Sequence, residues 1–163
     1  MRTVDYEVHH RSDGRYDARL TIVYHNNQGP NAYLNPYYNG YVRIYVPESA
    51  VLEVAQSGDF NDVGTAPDGP FRVFAGYVLV QPDGQTTVHV RWVLPAAIAP
   101  GGHYSLTWTR QTGTGADDVT VTIGDHTATL ASDQRAVHLS FDVSPNAVAH
   151  WLHDRWLFRK LGF

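Results

Sequence analysis

Residues 41–54, YVRIYVPESAVLEV, alternate between two kinds of side chain. Val42, Ile44 and Val46 share one parity, as a strand buried on one face requires, whereas Tyr41, Arg43 and Tyr45 share the other. The same period of two recurs along the chain. In DARLTIVYHN the inward set is Ala18, Leu20, Ile22 and Tyr24, and in TTVHVRWVLP it is Val88, Val90, Trp92 and Leu94. Tyr104, Leu106 and Trp108 follow, then Val119, Val121 and Ile123, and finally Val137, Leu139, Phe141 and Val143. This parity puts both Trp92 and Trp108 inside the core.

Turn-forming clusters separate these segments: NNQGPN, SGDFNDVGTAPDGP, QPDGQ, APGG, QTGTGADD and IGD. PDGQ (82–85) and IGDH (123–126) carry the dipeptides expected of tight hairpins. About nine or ten strands at this spacing predict an all-β chain. The expected architecture is a two-sheet antiparallel β-sandwich, immunoglobulin-like in general form, over residues 1–143.

Only residues 144–163, SPNAVAHWLHDRWLFRKLGF, leave the pattern. Ser144 is a cap, Pro145 suits the first helical position, and Arg159 and Lys160 fall where the helix dipole favours cations. A short C-terminal α-helix is expected, packed on the sandwich or on a neighbouring chain. Its apolar residues, Trp151, Leu152, Trp156, Leu157 and Phe158, exceed one helical stripe, which predicts homo-oligomerisation through this segment.

At 163 residues the chain has the length of one domain, and 43% hydrophobic with 17% charged residues is a globular composition. A net charge of −4 gives no basic footprint for nucleic acid. The lack of cysteine excludes disulfides, thiolate catalysis and cysteine-type zinc sites. No apolar run reaches the length of a membrane span, so membrane attachment is expected only through a segment outside this chain.

Residues 16–125 resemble the C-terminal region of bacterial proteins containing domain of unknown function 4012. The features that carry the resemblance are, in order, LTIVYHNNQGPN, YNGYVRIYVPESAVLEV, VFAGYVLVQPDGQTTVHVRWVLP and YSLTWTRQTGT. The resemblance implies a β-sandwich in a cell-surface or otherwise extracytoplasmic protein, attached to a larger N-terminal portion. It supplies no catalytic residues. TRQTGT and the terminal helix depart from the family pattern.

Several constellations bear on chemistry. His9 and His10 are adjacent and diverge on a strand, while His89, His103 and His138 lie on outward parities of different segments; His150 and His153 supply two ligands at most. Asp59, Asn61, Asp62 and Asp68 in the acidic stretch 58–70 are oxygen ligands of the kind calcium takes, and equally are ordinary turn formers. No Gly-x-Ser-x-Gly elbow is present, and nothing in the spacing pairs Glu7, Glu48 or Glu53 with a second carboxylate. No metal or cofactor is expected.

The leading expectation is a noncatalytic structural or interaction module of a bacterial cell-surface protein, binding a protein or a cell-surface glycan through Tyr41, Arg43 and Tyr45. A carbohydrate-binding module using Tyr33, Tyr37, Tyr38, Tyr41 and Tyr45 is the first alternative, since such rings pack against apolar groups and offer hydroxyls at their rims. A hydrolase whose residues converge only in three dimensions is the second.

Overall fold

A computed structural model describes residues 2–30, 36–56, 60–109, 117–130 and 136–143. The expected C-terminal helix, with Trp151, Leu152, Trp156 and Phe158, lies outside the described residues, as do Tyr33, Asp59, His150 and His153. The chain is mostly β, and its sheets are open rather than closed into a barrel. Eleven strands are described: β1 (Arg2–His10), β2 (Tyr16–His25), β3 (Tyr38–Pro47), β4 (Val51–Gln56), β5 (Phe60–Asp68), β6 (Phe71–Val80), β7 (Gln85–Leu94), β8 (His103–Thr109), β9 (Asp117–Ile123), β10 (His126–Leu130) and β11 (Ala136–Asp142).

They form a six-stranded sheet of order β10-β9-β1-β2-β7-β4, a three-stranded sheet β3-β6-β5 and a two-stranded sheet β11-β8. The two-sheet expectation is thus corrected to three. The purely antiparallel expectation is corrected too, because β1 runs parallel to β9, pairing Val4 with Val119 and Tyr6 with Val121. A parallel pair needs a long connection rather than a tight turn, and no short-range sequence signal announces one.

The inward residues of all three sheets meet in one buried cluster. Val88, Val90, Trp92 and Leu94 of β7 are buried, as are Ala18, Leu20, Ile22 and Tyr24 of β2, on the expected parity. Ile44 and Val46 face them from β3, and Phe74, Val78 and Val80 from β6. Trp92 joins the layers, its ring 5.8 Å from Tyr6 and 6.0 Å from Phe74. The Tyr6 and Tyr104 hydroxyls, 2.7 Å apart, link the six-stranded sheet to the two-stranded one. Trp108 is only half-buried, at the margin of the cluster, because the β11-β8 pair covers less of the core than a full sheet would.

Among the described strands three connections are hairpins: β1–β2, β5–β6 and β9–β10. Gly124 takes φ 58° in the last of these, while Ile123 pairs with His126, so IGDH is the tight hairpin its sequence suggests. PDGQ is not. Asp83 adopts the positive φ that such a turn demands, yet β6 and β7 belong to different sheets, and the turn carries the chain across the core. Asn26 holds this crossover from inside. Its side-chain amide donates to the carbonyls of Pro36 at 2.6 Å, Gln81 at 3.2 Å and Val80 at 3.3 Å, while its backbone N–H donates to Gly84 at 2.9 Å. A buried amide with this many partners is a staple rather than a loop residue.

The acidic stretch 58–70, read from sequence as a loop, contains β5. It pairs with β6 through an irregularity between Asn61 and Gly64 and is followed by Gly69 at φ 60°. Pro67 is tolerated because β5 is an edge strand.

Candidate functional site

The outer face of the three-stranded sheet carries the opening motif. On β3 it presents Tyr41, Arg43 and Tyr45, and the register sets opposite them Tyr77, Ala75 and Val73 of β6. Beyond β6, Gly64 and Ala66 of β5 stand beside Ala75 and Val73, and Asp68 stands beside Phe71. The face therefore has an aromatic pair at each end and a floor of small side chains between them. Tyr41 and Tyr77 have ring centroids 4.8 Å apart, tilted by 53°; Tyr45 and Phe71 are 6.1 Å apart and edge-on at 89°.

Arg43 extends along this floor. Its guanidinium donates to Asp68 Oδ2 at 2.7 Å and lies 5.1 Å from the Tyr45 ring centroid, and the Tyr45 hydroxyl donates to the same carboxylate oxygen at 3.3 Å. Arg43 thus meets both a tyrosine ring and a carboxylate. The carboxylate comes from β5, two strands away, rather than from the adjacent strand. Beneath this assembly Val73 is 3% exposed although it points away from the core. Tyr45 and its neighbours have a covering role as well as a surface.

The tyrosines expected to act together do not all share this face. Tyr41 and Tyr45 do, at 57% and 50% exposure, but Tyr38 has the inward parity of β3 and packs its ring 5.7 Å from Tyr24 at the rim of the core. Tyr37 is exposed just before β3 begins. Sequence reasoning missed Tyr77, 60% exposed, and Phe71, 46% exposed. Their odd parity in FRVFAGYVLV was legible, but the pairing of β6 with β3 was not, since 23 residues and a different sheet intervene between Pro47 and Phe71.

The outer face of the six-stranded sheet is different. Two rows cross it: Asp5, Thr21 and His89 in one, and Glu7, Arg19 and Arg91 in the other. They line a shallow concavity of about 530 Å³ that Val54 of β4 closes on one side. Thr21 Oγ1 and His89 Nδ1 are 3.1 Å apart. Partial burial, and then the charge of Glu7, raise the Asp5 carboxyl above its ordinary value. A register shift between Leu52 and Val54 sets Glu53 and Val54 together near Arg91.

The remaining sequence candidates are scattered. His138 contacts Thr107 Oγ1 at 3.1 Å on β11, and His10 packs edge-on against Tyr16. Of the acidic stretch, Asp68 is committed to Arg43, whereas the side chains of Asn61 and Asp62 lie outside the described set. Among the described residues no three His, Cys, Asp or Glu side chains converge as a metal site would need.

Comparison with protein-family models and with curated proteins finds no match to this chain.

Proposed function

We propose that the chain is a noncatalytic interaction module, an immunoglobulin-like sandwich in general architecture, that docks a protein partner on the outer face of β3-β6-β5. One observation carries this reading: Tyr41, Tyr77, Tyr45 and Phe71 stand roughly half-exposed or more on a single face, around an arginine whose paired carboxylate, Asp68, is itself solvent-accessible. Tyrosine and arginine are the residues that anchor protein interfaces, because each combines a large contact area with a polar tip. Arg43 lies along the small floor of Ala75, Gly64 and Ala66, so a partner's apolar side chain would pack on its aliphatic stem between the two aromatic pairs. A partner carboxylate would then compete with Asp68 for Arg43.

The ring geometry favours a protein over a sugar on this face. Tilts of 53° and 89° mean that neither pair forms an extended coplanar platform across which a run of sugar rings would stack. The resemblance to the domain of unknown function 4012 region supports an extracytoplasmic or cell-surface setting in a bacterial protein. Among the described residues no helix is long and apolar enough to cross a membrane.

The test is peptide selection against the intact chain, followed by titration of the selected peptides into the Tyr41→Ser, Tyr77→Ser double variant. These positions are chosen because Tyr45 also covers Val73. The expected result is peptides with apolar side chains beside a carboxylate, which lose at least about tenfold in affinity for the variant. Selected peptides that bind the double variant as well as the parent would overturn the assignment.

A further inference from the structure

We propose that the concavity on the outer face of the six-stranded sheet binds an acidic sugar, a polyhydroxylated ring bearing a carboxylate, with the carboxylate held between Arg19 and Arg91. The site lies on the far side of the core from the tyrosine face, and nothing in it depends on the docking role proposed there.

The first ground is the register. Arg19 stands directly opposite Arg91 on adjacent strands, an arrangement in which like charges repel and which is unfavourable unless anions compensate it. The second ground is how loosely the chain's own anions do so. Glu7 Oε2 is 3.7 Å from Arg19 and Glu53 Oε2 is 3.5 Å from Arg91. Other arginines of this molecule close onto carboxylates at charge-assisted distances: Arg11 on Asp17 at 2.8 Å, Arg15 on Asp13 at 2.7 Å, Arg43 on Asp68 at 2.7 Å. The two guanidinium groups facing the concavity therefore retain donor capacity that an incoming carboxylate would use.

The third ground decides what kind of anion. Asp5 and Glu7 line the same concavity, and both repel a bare anion while accepting hydrogen bonds from hydroxyl groups. A ligand with a carboxylate on one side and hydroxyls on the other satisfies both halves. Its carboxylate meets β2 and β7, and its hydroxyls meet β1 and the Thr21 hydroxyl. Val54 supplies an apolar contact for a ring face, and the volume of about 530 Å³ suits one or two sugar rings. The register shift in β4 brings Val54 to this position, opposite Arg91.

The experiment titrates the full chain, at low ionic strength, with glucuronate, glucose, acetate and inorganic phosphate, monitored by calorimetry and by amide chemical shifts. Glucuronate is expected to saturate with a dissociation constant of about 1 mM, and glucose, acetate and phosphate to bind at least about tenfold more weakly. An oligouronide arm separates the sources of the ligand: tighter binding than the monomer points to a polymer, equal binding to a free sugar acid. Arg19→Gln and Arg91→Gln should each cost about tenfold, and Arg91→Lys nearly as much, because an ammonium keeps the charge without the fork. The Tyr41→Ser, Tyr77→Ser variant should bind glucuronate as the parent does. Phosphate or acetate binding as tightly as glucuronate, glucuronate binding that survives all three arginine substitutions, or no saturable response to about 50 mM glucuronate would each overturn the proposal.

Discussion

The outer faces of the three-stranded and six-stranded sheets obey the same alternation and carry opposite chemistry. On the first, aromatic residues pack in pairs at either end of a floor of small side chains, and the ion pair described there is short, with Arg43 at 2.7 Å from Asp68. On the second, outward residues are charged or hydroxylated, and the two opposed arginines stand 3.5 Å and 3.7 Å from their carboxylates. The central strand of each sheet accounts for the contrast. β6 puts Val73 on its outer side, and a valine there gains from a cover of tyrosine and phenylalanine. β2 and β7 put Thr21, His89, Arg19 and Arg91 in the equivalent places, so water and ions suffice. An exposed aromatic on this molecule is therefore partly a local packing device, and an exposed charge is not automatically paired.

The largest expected effect tests whether both faces rest on one core. Trp92 touches Tyr6 of one sheet and Phe74 of the other and is 3% exposed. Trp92→Ala should cost about 3–5 kcal/mol in urea unfolding, and binding on both faces should fail together. Trp108→Ala, at the half-buried margin, should cost distinctly less. Trp92→Phe should also be milder than Trp92→Ala: it keeps a ring and removes an indole N–H that has no hydrogen-bond partner among the described residues. Equal losses at Trp92 and Trp108 would mean that the two-stranded sheet is as central as the other two.

The second effect comes from tyrosines that the core itself holds. Burial pushes Tyr24 up to about 12, and it raises Tyr6 and Tyr104 as well, with the Tyr6 hydrogen bond pulling Tyr104 partly back. A tyrosine with a folded pKa above its unfolded value of 10.0 is protonated longer in the folded chain. Its contribution is complete below about pH 10 and is lost as the pH climbs towards 12. For Tyr24 alone a shift of this size corresponds to about 3 kcal/mol. Unfolding free energy measured between pH 9 and 12 should therefore be flat and then fall; a fall that begins well below pH 10 would assign the alkaline limit to another group.

What was legible in the sequence was parity. Residues 86–94 and 16–24 showed which side chains turn inward, because a one-residue slip would have moved Leu20, Ile22, Val88, Val90 and Leu94 to the solvent. Tyr41, Arg43 and Tyr45 were legible as outward for the same reason. Pairing was not legible. PDGQ has the chemistry of a hairpin turn, and Asp83 takes the conformation such a turn needs, but turn chemistry fixes only the reversal of the chain and not the sheet that the next strand joins. Asp and Pro concealed β5, since an edge strand accepts residues that a central strand refuses. The Arg19–Arg91 opposition followed from β2 pairing with β7, across some 60 residues of intervening chain, and no local pattern encodes that.

The smallest effect gives the sharpest version of the comparison. Arg43–Asp68 and Arg91–Glu53 are both solvent-accessible pairs, with side chains 47% and 49% exposed in the first and 49% and 34% in the second. Exposure alone would rank them alike. Distance and support do not: the first pair is at 2.7 Å, shares its carboxylate with the Tyr45 hydroxyl and lies beside the Tyr45 ring, whereas the second is at 3.5 Å. Double-mutant cycles, with Arg→Gln against Asp68→Asn or Glu53→Gln, should give a coupling of about 0.5–1 kcal/mol for Arg43–Asp68 and about 0–0.3 kcal/mol for Arg91–Glu53. Raising the salt to about 1 M should shrink the first coupling without abolishing it, since the cation–π contact and the hydroxyl hold Arg43 and Asp68 in place when the charges are screened. If the cycles come out reversed, the guanidinium of Arg91 is already committed to Glu53. The concavity would then have lost half of its anion-binding capacity, and the tyrosine face would hold the looser arginine.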